Sequence, residues 1–115
     1  MIDGTFKIKT KAAVSNSSLD TIYTVPSATT TIVLGMSLCN ITSNAITADV
    51  QLVSDTSDTE TNANIFLLKS VNIPANTTLE VFGGQKLVLQ TTDVVKAQAS
   101  AGSALDMSVS IMEQT

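Results

Sequence analysis

Short stretches in which apolar and polar residues alternate recur along this chain at intervals of about ten residues. In the first, residues 5–14, Phe6, Ile8 and Val14 fall on one side and three lysines fall on the other. Alternation with a period of two is typical of a half-buried β-strand, because successive side chains of a strand point to opposite faces. A chain made of such stretches must bury one face of each strand, which predicts an all-β fold.

Nine stretches of this kind are separated by residues that favour turns. They cover residues 5–14, 19–25, 29–41, 45–54, 65–73, 78–82, 86–90, 94–100 and 104–113. Pro26 and Pro74 stand where strands end, and Gly83-Gly84 indicates a hairpin turn. The spacing predicts an antiparallel β-sandwich or small barrel of about eight strands.

Details within the stretches refine this prediction. In residues 29–41, the alternation places Ile32, Leu34, Met36 and Leu38 on one face. The longest loop, residues 55–62, favours a Greek-key sandwich over a meander, with a jelly roll as the alternative. That loop is acidic and has no regular hydrophobic pattern, and the spacing of its carboxylates does not match that of an EF-hand. We interpret it as a solvated loop, and whether it binds an ion or a partner stays open.

The side-chain inventory excludes most catalytic chemistry. The chain has no His and no Trp, its six basic residues are all lysines, and Cys39 is its single cysteine. Without His, neither a Ser-His-Asp nor a Cys-His nucleophile can be assembled, and His-based metal sites are excluded. A single cysteine rules out an intrachain disulfide and a metal cluster held by several cysteines. We therefore expect no enzymatic activity and no cofactor, and we expect Cys39 to be a packed, unreactive thiol.

Charge and hydropathy narrow the range of partners. The formal net charge is −4 and the chain has no Arg, which argues against nucleic-acid binding. No apolar run approaches the roughly 20 residues that a membrane span needs. The four aromatic residues are too few for the stacking surfaces of a lectin or a receptor-binding protein. No signal peptide is apparent at the N-terminus, so we expect assembly in a cytoplasm.

Three of the six lysines, Lys7, Lys9 and Lys11, lie in the first predicted strand. Residues 1–11 carry these three lysines and one acid, whereas the rest of the chain carries three lysines and nine acids. Lysines on an exposed edge strand prevent unwanted strand pairing. The same lysines are candidate docking residues for an acidic partner or for an acidic face of a sister subunit. The two interpretations are compatible, and the sequence leaves both open.

Several stretches of the chain also resemble a known family. They are residues 22–26 (IYTVP), the apolar strand that ends at Asn40, residues 45–47 (AIT) leading to Val50, 71–80 (VNIPANTTLE), 87–89 (LVL), 93–97 (DVVKA) with 99–101 (ASA), and 109–113 (VSIME). In these stretches the chain resembles small Ig-like virion proteins of tailed bacteriophages, of the kind found in marine and cyanobacterial phages. Similar proteins often have Gly just before Asp93, where this chain has Thr92.

The resemblance covers residues 19–113 and implies an Ig-like β-sandwich that serves as a non-enzymatic part of a virion. Residues 1–18 lie outside it, so we predict an N-terminal assembly arm at 1–18 and a sandwich domain at 19–115. The expected role is capsid-surface decoration, with the major capsid protein and further copies of the chain as partners in a homo-oligomer. The alternatives are a tail, neck or fibre component, or a host-adhesion module. No nucleic acid, membrane or small-molecule substrate is expected as a partner.

Overall fold

A computed structural model of the chain describes residues 4–54, 64–82 and 86–115. Within these ranges the chain forms nine β-strands and no helix. The strands are β1 (Gly4–Lys11), β2 (Asp20–Thr24), β3 (Thr30–Asn40), β4 (Ile46–Val53), β5 (Asn64–Ile73), β6 (Thr78–Glu80), β7 (Leu87–Leu89), β8 (Val94–Ala99) and β9 (Leu105–Gln114). The predicted acidic loop at 55–62 and the predicted turn at Gly83-Gly84 lie outside the described residues. The prediction that the flanking strands form a hairpin is wrong, because β6 and β7 each pair with β3 and not with each other.

The strands form two antiparallel sheets that pack as a sandwich. The first sheet has the order β1-β9-β3-β6, with β7 also paired to β3, and the second has the order β2-β8-β4-β5. Only β4–β5 and β6–β7 are consecutive strands of the same sheet, so most connections cross between the two sheets. Such connections belong to the Greek-key type and not to a meander. The predicted all-β, antiparallel, Ig-like sandwich is therefore confirmed.

The core lies between the inner faces of the two sheets. Alternate residues of β9, namely Leu105, Met107, Val109 and Ile111, are at most 2% exposed. Alternate residues of β4 and β8 face them from the second sheet. Those residues are Ile46, Ala48, Val50, Val95, Ala97 and Ala99. Because β9, β4 and β8 bury alternate residues, the period-two pattern in these three strands corresponds directly to the inner and outer faces of the sandwich.

The prediction that Ile32, Leu34, Met36 and Leu38 share one face is wrong. The register between β3 and β9 shifts between Val33 and Gly35, which marks a β-bulge at Leu34. Val33 is buried before the bulge, and Met36 and Leu38 are buried after it, whereas Ile32 points to the outer face. The extra residue changes the parity of the strand, so alternation along the sequence does not continue through it.

The prediction of a half-buried first strand ending at Val14 is also wrong. β1 ends at Lys11, and Ala13 has a φ of 52°, so the chain turns before Val14. Val14 then enters the core, where its N–H donates a 2.8 Å hydrogen bond to the Leu105 carbonyl. In contrast, Phe6 is 73% exposed and Ile8 is 62% exposed. The two apolar side chains of β1 therefore lie on the solvent side of the sheet.

Candidate docking surface

The three predicted docking residues, Lys7, Lys9 and Lys11, lie on the core-facing side of β1. In the β1–β9 ladder, Lys7 is opposite Ile111, Lys9 is opposite Val109 and Lys11 is opposite Met107. Residues directly opposite in an antiparallel pair share a face, and these β9 partners are core residues. Because β1 is the edge strand of the first sheet, its lysines line the rim of the sandwich.

Lys7 is engaged in a polar network that joins the two sheets. Its ammonium lies 2.6 Å from Oε1 of Glu113, a residue that is only 7% exposed. The Tyr23 hydroxyl of the second sheet donates a 2.5 Å hydrogen bond to Oε2 of the same carboxylate. It also lies 2.7 Å from Oγ1 of Thr31. Each oxygen of the buried carboxylate therefore has a partner, as a buried charge requires.

This network changes the acidity of two of its members. The hydrogen bond from Lys7, followed by the one from Tyr23, lowers the pKa of Glu113 below its ordinary value of 4.5. Burial, followed by the hydrogen bond to Glu113, raises the pKa of Tyr23 from 10.0 to about 12. The folded protein therefore favours an ionised Glu113 and a neutral Tyr23. In these states the Tyr23 hydroxyl has a proton to donate and the Glu113 carboxylate is free to accept it as a hydrogen bond.

Lys9 and Lys11 are placed differently from Lys7. Lys9 Nζ lies 5.9 Å from the centre of the Tyr23 ring, above its face. Neither Lys9 nor Lys11 has a carboxylate oxygen within 4.0 Å among the residues that the structure describes. The three lysines therefore differ: Lys7 forms an ion pair with the internal acid Glu113, the charge of Lys9 also contributes to the lowered pKa of Glu113, and neither Lys9 nor Lys11 is in an ion pair among the described residues.

An apolar row crosses the outer face of the first sheet from edge to edge. Val88 of β7 is opposite Ile32 of β3, Ile32 is opposite Met112 of β9, and Met112 is opposite Phe6 of β1. We call these four residues the apolar row. Val88 is 64% exposed and Phe6 is 73% exposed. Ile8 extends the row along β1 on the same face.

The corresponding row of the second sheet is mostly polar. Its matching row across four strands is Thr21, Lys96, Gln51 and Phe66. The one aromatic in that row lies under an ammonium group, with Lys69 Nζ 4.6 Å from the centre of the Phe66 ring. The two rows thus differ in chemistry, and the apolar row makes the first sheet the better candidate surface for a partner.

Small side chains form a groove beside the apolar row. It has a volume of about 410 Å³ and lies between β1, β9, β3 and β6. Its lining includes Thr10, Ser37, Cys39, Thr78, Asp106 and Ser108. Contrary to the expectation of a packed thiol, Cys39 is partly exposed, because it lies opposite Asp106 on the outer face of the sheet. The outer face therefore has a raised apolar end and a recessed end of small polar residues.

The sequence patterns did not reveal this surface. The alternation in β1 separates Phe6 and Ile8 from the lysines, but it does not say which side faces the core. That choice is set by the pairing of β1 with β9, which lies about a hundred residues further along the chain. The apolar row is likewise assembled from four strands that are far apart in sequence, so no single stretch signals it.

Within the described ranges, no helix could span a membrane, and no group of three His, Cys, Asp or Glu residues could hold a metal ion. A scan against protein-family models and a search of curated proteins found no match to this chain.

Proposed function

We propose that this chain is a non-enzymatic structural protein of a tailed-phage virion that decorates the capsid surface. The observation that carries the proposal is the apolar row on the outer face of the first sheet. Contiguous exposed apolar residues on a small soluble domain mark a surface that a partner covers. The virion setting is supported by the resemblance of residues 19–113 to Ig-like virion proteins.

In this function the chain works by contact and not by chemistry. The apolar row loses its contact with water against the major capsid protein or against a neighbouring copy of the chain, and Lys9 and Lys11 flank the contact with positive charge. Each contact is small, but a particle presents the same site many times. Repeated weak contacts hold a layer of homo-oligomers in place by avidity, without a dominant aromatic anchor.

Fractionation of purified virions tests this function. Heads and tails are separated, and the protein is quantified by mass spectrometry against the major capsid protein and the major tail protein. The proposal predicts that the chain follows the head fraction in a fixed ratio to the major capsid protein. Recovery with tails would assign it to a tail, neck or fibre component instead. Absence from both fractions would overturn the virion assignment.

A further inference from the structure

The outer edge of β1, which faces away from β9, is an open edge of the first sheet. Among the strands that the structure describes, none pairs with this edge. β1 pairs with β9 over all eight of its residues without a register shift, so its backbone is regular. Seven of these eight residues are exposed, and Lys9 alone is partly covered. A regular, exposed edge is a template for another strand.

The other sheet edges in the described part of the chain are poor templates. β2 has five residues and a register shift against β8, and β6 and β7 have three residues each. β5 is longer, but its pairing with β4 shifts twice and Ser70 has a φ of 52°. Irregular or short edges resist strand addition. β1 is therefore the edge at which a partner strand meets the fewest backbone obstacles.

The side chains of β1 define what that partner strand must carry. Lys9 and Lys11 stand on one face, and neither forms an ion pair within 4.0 Å among the described residues, whereas Phe6 and Ile8 stand on the other face. In an added strand, residues opposite the lysines are best acidic and residues opposite the apolar pair are best apolar. A partner strand in which acidic and apolar residues alternate strictly therefore matches the charge of one face of β1 and the apolar side chains of the other.

A second copy of the chain does not meet this requirement. Antiparallel pairing of two β1 strands with matching faces sets lysines against lysines, which is unfavourable. Among the other described edge strands, β2 contains one carboxylate, Asp20, and β6 contains one, Glu80. β5 and β7 contain none. The edges of a neighbouring copy therefore do not supply alternating acids.

We propose that the open edge of β1 binds an extended segment of another protein in which acidic and apolar residues alternate. The segment adds to the first sheet as a further strand, with its acids beside Lys9 and Lys11 and its apolar residues beside Phe6 and Ile8. The identity of the partner as a virion neighbour rests on the proposed function, whereas the chemistry of the segment rests on the edge alone.

Peptide binding to the full chain tests this inference. The probe is a fluorescent peptide as long as β1 in which Glu and Val alternate, and binding is followed by anisotropy at low and at physiological salt. We expect saturable binding that weakens as salt is added, because part of the attraction is between exposed charges. A peptide with Lys in place of Glu should not bind. Equal binding of both peptides, or binding of neither, would overturn the inference.

Protein variants and backbone-modified peptides locate the contact. Lys9→Gln with Lys11→Gln should weaken binding of the Glu-Val peptide about fivefold, the effect of losing two exposed ion pairs. The control, Lys86→Gln with Lys96→Gln, removes the same charge elsewhere and should bind as the wild type does. Of two peptides N-methylated at odd or at even positions, one should lose binding, because a strand pairs through one edge. If neither N-methylated peptide loses binding, strand addition is contradicted.

The outcome is separable from that of virion fractionation. If the peptide binds as described but the chain is absent from virions, the edge chemistry stands and the proposed function fails. If the chain is found on heads but the peptide does not bind, the proposed function stands and the partner segment is refuted.

Discussion

The Tyr23 hydroxyl donates a 2.5 Å hydrogen bond to Oε2 of Glu113 and thereby joins β2 of one sheet to β9 of the other. On the far side of the same carboxylate, Lys7 of the edge strand holds Oε1 at 2.6 Å. The buried carboxylate of Glu113 thus connects β1, β2 and β9. The other residues of β1 are almost all exposed, so this contact is a main attachment of β1 to the interior. The attachment of the exposed edge strand is therefore linked to the ionisation of a group between the sheets.

The pKa of Tyr23 gives a direct reading of this link. Tyr23 is the only tyrosine of the chain, so the near-ultraviolet absorbance of the phenolate reports on this residue alone. In the folded protein the titration midpoint should be about 12, against 10.0 for an unperturbed tyrosine. Glu113→Gln removes the negative charge and should move the midpoint of the folded protein down. A native midpoint near 10.0 would contradict the buried hydrogen bond.

Glu113 predicts how stability responds to acid. The pKa of Glu113 is lower in the folded protein than its ordinary value of 4.5. The ionised carboxylate therefore contributes its full stabilisation above pH 4.5, and this contribution is lost as the pH falls through the pKa of the folded protein. The free energy of unfolding, measured by urea denaturation, should therefore decrease below pH 4.5. In Glu113→Gln this part of the decrease should disappear, whereas Asp106→Asn serves as the carboxylate control. Identical acid profiles for Glu113→Gln and the wild type would refute the prediction.

Asn40 is a buried polar residue on which two turns depend. Its amide donates hydrogen bonds to the carbonyls of Asn44, Ile73 and Pro74, at 2.8, 3.0 and 3.2 Å. Its side-chain oxygen accepts from the N–H and the hydroxyl of Thr42.

Asn40→Ala leaves these buried and partly buried groups without their partner and should lower the free energy of unfolding by about 3 kcal/mol. Asn44 takes part through its main chain, so Asn44→Ala should cost less than about 0.5 kcal/mol. Urea denaturation compares the two variants. A loss of unfolding free energy in Asn40→Ala as small as that in Asn44→Ala would show that the Asn40 amide is not essential.

Thr92 has a φ of 76°, a backbone conformation that favours glycine and is costly for a β-branched residue. It precedes Asp93, whose carboxylate accepts a 3.0 Å hydrogen bond from the Gln90 N–H and closes the turn. Thr92→Gly should therefore raise the free energy of unfolding by about 0.5 to 1 kcal/mol. The matched change Thr24→Gly, in an exposed position of β2, should lower it instead. A loss of stability in Thr92→Gly would contradict the assigned geometry.

Local patterns in the sequence predicted much of this fold. Each of the nine predicted strands is present, and most of their ends agree within two residues, because alternation and turn residues act locally. The predicted strand at 5–14 is the exception, since β1 stops at Lys11.

What the sequence could not predict depends on pairing between distant residues. The face of β1 that meets the core is decided by the register with β9, and the bulge at Leu34 reverses the parity of β3. The contact between Tyr23 and Glu113 joins residues 90 positions apart. For the candidate surface, the lysines were identified but the apolar row was not, because its four members become neighbours only in the folded sheet.

The central claim is that the outer face of the first sheet attaches this chain to a particle, and occupancy on reconstituted particles tests it most directly. Particles depleted of the protein are incubated with purified chain, and bound copies per virion are counted. Phe6→Ser with Ile8→Ser removes apolar surface from this face, and because both side chains are exposed, it should leave the urea midpoint unchanged.

The matched control is Ile41→Ser with Ile65→Ser, which alters two other exposed apolar residues, 51% and 50% exposed. We predict that the control reaches wild-type occupancy, whereas Phe6→Ser with Ile8→Ser falls to about a tenth of it or less, because small losses at each contact multiply across a lattice. Wild-type occupancy of the Phe6 and Ile8 variant would contradict the account.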